Sequence, residues 1–164
     1  KLLIMSDGAM NIAPDLDIKR QIIENALEIS SSLGITPANV GVIAAVEKVN
    51  DKMQATLDAK ALKEASIDGA IIDGPFALDN AISKEAAQHK GIDSKIAGDV
   101  DILLMPAIEA GNVFYKAMMF LCGAKSASVI AGATHPIVLT SRADSFETKF
   151  HSIALAALHA ASKQ

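Results

Sequence analysis

With one cysteine, no tryptophan, one tyrosine and five phenylalanines, this chain of 164 residues has little from which to build a covalent staple or an aromatic core. A lone thiol excludes an internal disulfide and a cysteine-rich zinc site. Cys122 closes the run Met118-Met119-Phe120-Leu121-Cys122, and there it reads as a buried, inert thiol. Dense clusters of lysine and arginine are missing too. With a formal net charge of -4, the chain has no basic stripe with which to displace counterions from nucleic acid. Phosphate on a small molecule stays open as a partner. No apolar run approaches the roughly 20 residues that cross a bilayer, and the start has no signal-peptide order of charged, apolar and small residues. A cytoplasmic setting, with no membrane and no nucleic acid, is the default expectation.

What the chain does have is aliphatic. Hydrophobic residues make up 51% and aromatics only 4%, so Ala, Ile, Leu, Val and Met must fill the core. That palette suits helices packed on a parallel sheet. The length is about that of one domain able to bury a core unaided. Lys1-Leu2-Leu3-Ile4-Met5 opens directly as an apolar strand without an initiator methionine, which reads as a fragment of a longer polypeptide.

Short apolar runs alternate with stretches of helical period. The strand candidates are 2–5, 40–46, 70–72, 102–105, 128–131 and 137–139. Ile18, Ile22, Ala26, Ser30 and Leu33 mark one face of a helix at steps of three and four, with Asp15 or Asp17 to cap it and Gly34 to stop it. Further helices are expected at 53–65, 80–89, 109–121 and 145–161. The order predicts an α/β fold, a mostly parallel sheet with helices on both faces. The last two strands meet around Ala133-Thr134-His135-Pro136 without a helix between them, so one of that pair should run antiparallel or lie at an edge.

In open α/β sheets ligands bind beyond the carboxyl ends of the strands. The segments there are Ser6-Asp7-Gly8, Glu47-Lys48-Val49-Asn50, Asp73-Gly74-Pro75, Glu109-Ala110-Gly111-Asn112 and Thr140-Ser141-Arg142-Ala143-Asp144. The last holds the densest chemistry. A helix starting near 141–145 would offer free N–H groups to an anion; Arg142 adds a planar fork for two phosphate oxygens, Ser141 a hydroxyl, and Asp144 a group to orient the arginine or take a proton. The same residues also fit a plain helix start, with Asp144 as the cap, Glu147 three residues later, and Arg142 paired to Asp144. In the second helix opening, Gly111 permits close backbone approach, while Tyr115 and Lys116 bring a hydroxyl and a cation about one turn on, again suited to phosphate. Its apolar residues Val113, Phe114, Ala117, Met118 and Leu121 read as core or as a contact with a second subunit.

The chain has no Gly-x-Gly-x-x-Gly after a strand, no P-loop and no Gly-x-Ser-x-Gly elbow, which withdraws support from nucleotide hydrolysis and serine esterase chemistry. His89, His135, His151 and His159 lack ligand spacing, so they read as surface or helix residues and no metal is expected.

Taken in order, Asp73-Gly74-Pro75-Phe76-Ala77-Leu78-Asp79-Asn80-Ala81-Ile82, Ala110-Gly111-Asn112-Val113-Phe114-Tyr115-Lys116 and Thr140-Ser141-Arg142-Ala143-Asp144-Ser145 resemble the phosphate acetyl/butyryltransferase family, and most of all its phosphate butyryltransferases. Val46-Glu47-Lys48-Val49-Asn50-Asp51-Lys52-Met53 and Gly98-Asp99-Val100-Asp101-Ile102-Leu103 extend the resemblance along nearly the whole chain. It implies a fold like that of the isocitrate and isopropylmalate dehydrogenases. The implied reaction is reversible transfer of a butyryl or branched-chain acyl group between CoA and orthophosphate, with CoA as substrate and no cofactor. It further implies that residues 1–164 are one α/β domain, the C-terminal part of a two-domain enzyme whose helix 145–161 packs back on a missing N-terminal domain; the apolar helix Val113 to Leu121, for its part, makes a homodimer the expectation. By the same resemblance Ser141 and Arg142 hold phosphate and stabilise charge on the acyl carbonyl, and Gly111, Asn112, Tyr115 and Lys116 line the cleft. Acetyltransferases of the family carry a catalytic aspartate where this chain has Thr148, which leaves Asp144 or Glu147 to act in its place. The alternatives are a phosphate acetyltransferase and a noncatalytic domain that binds CoA or a phosphorylated metabolite.

Overall fold

The computed structural model describes residues 1–163. Its elements run β1 (Ile4–Ser6), α1 (Leu16–Ser32), β2 (Ala38–Ile43), α2 (Gln54–Glu64), β3 (Ala70–Phe76), α3 (Leu78–Ile82), α4 (Lys84–His89), β4 (Ile102–Leu104), α5 (Ile108–Phe120) and α6 (Phe146–Ser162). The four strands form one sheet in the order β1-β4-β2-β3. Every pairing is parallel, with Ile4 opposite Ile102, Val40 opposite both Ile102 and Ile72, and Val42 opposite Leu104. Among the described residues no helix is long and apolar enough to cross a membrane.

Strand period decides which side chains enter which layer. On one face Val40, Val42, Ile102 and Leu104 meet Ile22, Ile23 and Ala26 of α1 and Ala59 and Leu62 of α2. On the other, Leu103 joins Ile43, Phe76, Ala81, Ile96, Val100 and Met105, with Ala110 and Phe114 of α5 packed against them. Gly41 lies under Val100, where an added β-carbon would stand 2.9 Å from a valine methyl.

Helix α1 starts and stops where the sequence says it should. Asp15 caps it, its carboxylate accepting from the Ile18 N–H at 2.9 Å, and Gly34 follows the last turn with φ at +76°, a conformation glycine adopts without steric cost. The single helix expected over 80–89 is two short ones, broken at Ser83, whose hydroxyl caps α4 by accepting from the Ala86 N–H.

Two expected strands are absent among the described residues. Segments 128–131 and 137–139 share one antiparallel bridge, Ile130 to Ile137, and Ile137, Val138 and Leu139 stay exposed. Pro136 lacks an N–H for a ladder, and three apolar residues with no sheet edge beside them bury too little to order as a strand. A second correction concerns Cys122. It is exposed, because α5 ends at Phe120 and the residues after it leave the packed layer.

Candidate functional site

Helix α5 leaves the carboxyl end of β4 and lies against the loop after β1. In that loop Asp7 folds the chain around its own carboxylate, which accepts from the N–H groups of Ala9 (2.7 Å), Met10 (3.0 Å) and Asn11 (2.8 Å) and from Asn11 Nδ2 (2.6 Å). Burial pushes this carboxyl up, but the donors outweigh it and hold it below the usual carboxylate range. The close approach expected at Gly111 is made by the chain itself: a β-carbon there would run into the Asp7 carbonyl oxygen and stand 2.8 Å from Gly8 Cα. Asn112 Nδ2 donates to the Gly8 carbonyl at 3.2 Å. These two residues therefore seat α5 on the sheet. Gly111→Ala should cost about 1–3 kcal/mol, because backbone on both sides leaves nothing soft to move; urea denaturation of the variant reads it directly.

Tyr115 lies about two turns into α5 and reaches across to the segment before α6. Its hydroxyl donates to Asp144 Oδ1 at 2.9 Å. The other carboxylate oxygen, Oδ2, accepts from the Ser141 N–H at 2.6 Å. Asp144 N–H in turn donates to the Ser141 carbonyl at 3.1 Å, and Ala143 N–H to Ser141 Oγ at 3.3 Å, which closes residues 141–144 into a turn. Burial pushes the Tyr115 phenol above its ordinary range, and the neighbouring Asp144 carboxylate adds to that rise. Arg142 occupies the turn exposed, and among the described residues no carboxylate stands within ion-pair distance of it.

Several expectations for this junction change. Asp144 is not the cap of α6; Ser145 is, its hydroxyl accepting from the Thr148 N–H at 3.1 Å. Asp144 does not pair with Arg142 either, since both of its oxygens go to Tyr115 and Ser141. Thr148 is buried, with its hydroxyl 3.2 Å from Ser145 Oγ, so this position serves the helix start. Glu147 forms an ion pair with Lys125 at 2.7 Å, and that hydrogen bond holds its carboxyl below the usual range. Lys116 is exposed beside Tyr115. The structure thus joins Ser141, Asp144 and Tyr115 by direct contact, and sets Gly111 and Asn112 apart from them on the Asp7 loop.

A polar cluster beyond β2 and β3 was not foreseen as a unit. Lys90 Nζ stands 2.5 Å from Glu47 Oε1 and 2.9 Å from Asp79 Oδ2, and the buried Asn80 donates from Nδ2 to Glu47 Oε1 at 2.7 Å. Its members are 43 residues apart at the widest, so only the parallel order of β2 and β3 brings them together. The Lys90 ammonium, then Asn80, lowers the Glu47 carboxyl to about 2. A carboxyl depressed from an unfolded value near ~4.3 stabilises the fold above that pH and loses its effect as the pH falls toward the folded value. Glu47→Gln should therefore melt below the parent at neutral pH, with the gap closing between about pH 4.5 and 2; thermal melts across that window check it.

The phosphate acetyl/butaryl transferase family model matches residues 1–157. The chain belongs to this family. It is 51% identical over 162 residues to the phosphate acetyltransferase of Thermotoga maritima, covering 96% of this chain and 55% of that protein. To the probable phosphate butyryltransferase of Bacillus subtilis it is 51% identical over 160 residues, covering 95% and 54%. Among solved structures, a branched-chain phosphotransacylase from Enterococcus faecalis superposes with a TM-score of 0.88 at 39% identity, over 95% of this chain and 57% of that one. The chain spans about half the length of the curated relatives it matches. Family membership agrees with the α/β fold, and equal identity to an acetyl- and a butyryltransferase leaves the acyl group to the chemistry of the pocket.

Proposed function

We propose that the chain is one wall of the cleft of a phosphate acyltransferase, which moves a butyryl or branched-chain acyl group reversibly between CoA and orthophosphate. The observation that carries this reading is the turn 141–144, fastened through Asp144 to α5 with an exposed arginine on it. A guanidinium fork matches two oxygens of orthophosphate, and the Ser141 hydroxyl still has its hydrogen to donate. An orthophosphate oxygen attacks the thioester carbonyl carbon, the carbon–sulfur bond breaks, and CoA departs with the proton on sulfur. In reverse the thiolate attacks acyl phosphate. Charge that grows on the carbonyl oxygen is met by the same donors, and Lys116 adds a cation to the pocket. Written this way the reaction balances with acyl-CoA and orthophosphate alone, without cofactor or metal.

The second wall belongs to the N-terminal half that the longer relatives carry. Helix α6 supports this: it turns Thr148, Ser152 and His159 inward and leaves Phe146 (84%), Phe150 (59%) and Ile153 (61%) exposed, an apolar face with the wrong side out for a solvated helix. Val113 (66%), Phe120 (67%) and Leu121 (84%) on and after α5 offer a surface for a homodimer. The setting is cytoplasmic.

In a polypeptide of the relatives' full length, orthophosphate with butyryl-CoA or isobutyryl-CoA should yield acyl phosphate, trapped as the hydroxamate, at a higher kcat/KM than with acetyl-CoA. Preference for acetyl-CoA would make it an acetyltransferase, and CoA binding without turnover would make it a noncatalytic domain. The 164 residues alone should show little or no transfer; robust activity from them would remove the two-wall reading.

A further inference from the structure

We propose that Tyr115 and Asp144 are a positioning pair that holds the Ser141–Arg142 turn on α5, and that Asp144 works through this clasp and is not the base of the reaction. The inference rests on the reading of that turn as the phosphate site. Its ground is that the bond between Tyr115 and Asp144 joins the turn to α5. Among the described residues the chain between α5 and α6 forms one β-bridge, Ile130 to Ile137, and is tied to α6 through Ser128 N–H on Ser152 Oγ at 2.9 Å and Lys125 on Glu147; the bonds inside residues 141–144 shape the turn without joining it to α5. Ser145 joins the turn to α6 on one side; the turn's placement against α5 comes from Tyr115, a rigid phenol on a helix that Gly111 locks against Gly8. From the sheet outward the line of support is Gly8, Gly111, Tyr115, Asp144, then Ser141 and Arg142.

The carboxylate is well matched to this task. Each oxygen takes one donor, Tyr115 Oη at 2.9 Å and the Ser141 N–H at 2.6 Å. Protonating either oxygen weakens a bond that holds the turn, so a proton taken by Asp144 would loosen the anion site during the step that needs it. An asparagine in its place can accept from the Ser141 N–H and turn its amide N–H to Tyr115 Oη, which then accepts, so the charge-assisted bond from the phenol is replaced by a weaker neutral one. Tyr115→Phe leaves Asp144 bonded to the turn but detached from α5.

Tyr115 is the chain's one tyrosine and there is no tryptophan, so the phenolate absorbance reports this residue alone. In the 164-residue chain Asp144→Asn should lower the midpoint of that titration; an unchanged midpoint would overturn the clasp. Orthophosphate binding is the second readout. Tyr115→Phe and Asp144→Asn should each weaken it about fivefold to tenfold, the scale of one or two hydrogen bonds, and the double variant should lose no more than either single one. Additive losses would overturn a shared role. In the full-length enzyme Asp144→Asn should lower kcat/KM for orthophosphate while the acid limb of the pH profile keeps its midpoint. Loss of that limb with collapse of kcat would make Asp144 the base and end the proposal. Absence of both orthophosphate binding and acyl transfer in the parent would sink the reading of the site, and the Tyr115 titration would still decide the clasp.

Discussion

Arg142→Ala in the full-length enzyme lowers kcat/KM by about two to three orders of magnitude, the size of loss seen when a preorganised donor to developing charge is removed, and leaves the thermal midpoint in place. The contrast follows from where the side chain stands. Exposed on the 141–144 turn, with no carboxylate at ion-pair distance among the described residues, the guanidinium does nothing for the fold that its removal would expose. Arg142→Lys restores the charge but not the fork, so it should recover only part of the loss. Steady-state kinetics beside a thermal melt check both halves. Near-normal turnover in Arg142→Ala would take the residue out of the mechanism.

Lys19→Met is expected to cost about 3–5 kcal/mol, a large part of the roughly 5–15 kcal/mol that holds a domain of this size. Lys19 on α1 and Asp58 on α2 form an ion pair at 2.5 Å with both side chains only 5% exposed. Without the ammonium, Asp58 keeps one donor, Gln54 Nε2 at 2.8 Å, and a buried carboxylate with half its partners gone pays the desolvation that the pair had offset. Replacing both residues, as Lys19→Met with Asp58→Leu, should recover most of the loss, since an apolar pair leaves no charge behind. Urea unfolding with an unchanged slope would show it. A single variant as stable as the parent would mean that water or a neighbour solvates Asp58.

Periodicity alone was enough for much of the fold. The three-and-four spacing from Ile18 to Leu33 and the cap at Asp15 describe α1, and the apolar runs at 40–46 and 102–105 overlap β2, which ends at Ile43, and β4, which ends at Leu104, because a central parallel strand needs apolar residues on both faces. The runs at 128–131 and 137–139 look the same locally and are not strands. A strand exists only with a neighbour, and no stretch of three or four residues carries the information that a sheet edge is near. Cys122 went astray for a related reason: Phe120 and Leu121, the two apolar residues just before it, are exposed in space.

The candidate site divides along the same line. Residue chemistry marked 111–116 and 140–144 as two openings suited to phosphate. The bond between them was not legible, since Asp144 beside Arg142, with Glu147 three residues on, reads equally well as a local ion pair or a helix cap. Tyr115 and Asp144 are 29 residues apart with no regular period between them, and Glu47 stands 33 residues from Asn80 and 43 from Lys90 in its own cluster.

By itself, then, the sequence determined the layers of this protein, the faces of its helices and the chemical kinds available at the ends of its strands, because those depend on spacing within one element. Only the tertiary structure decided that Asp144 turns from its neighbour Arg142 to Tyr115, that Ser145 caps α6, and that Arg142 has no carboxylate at ion-pair distance among the described residues. A carboxylate takes the best donors within about 3 Å, and which donors those are is settled by packing between elements.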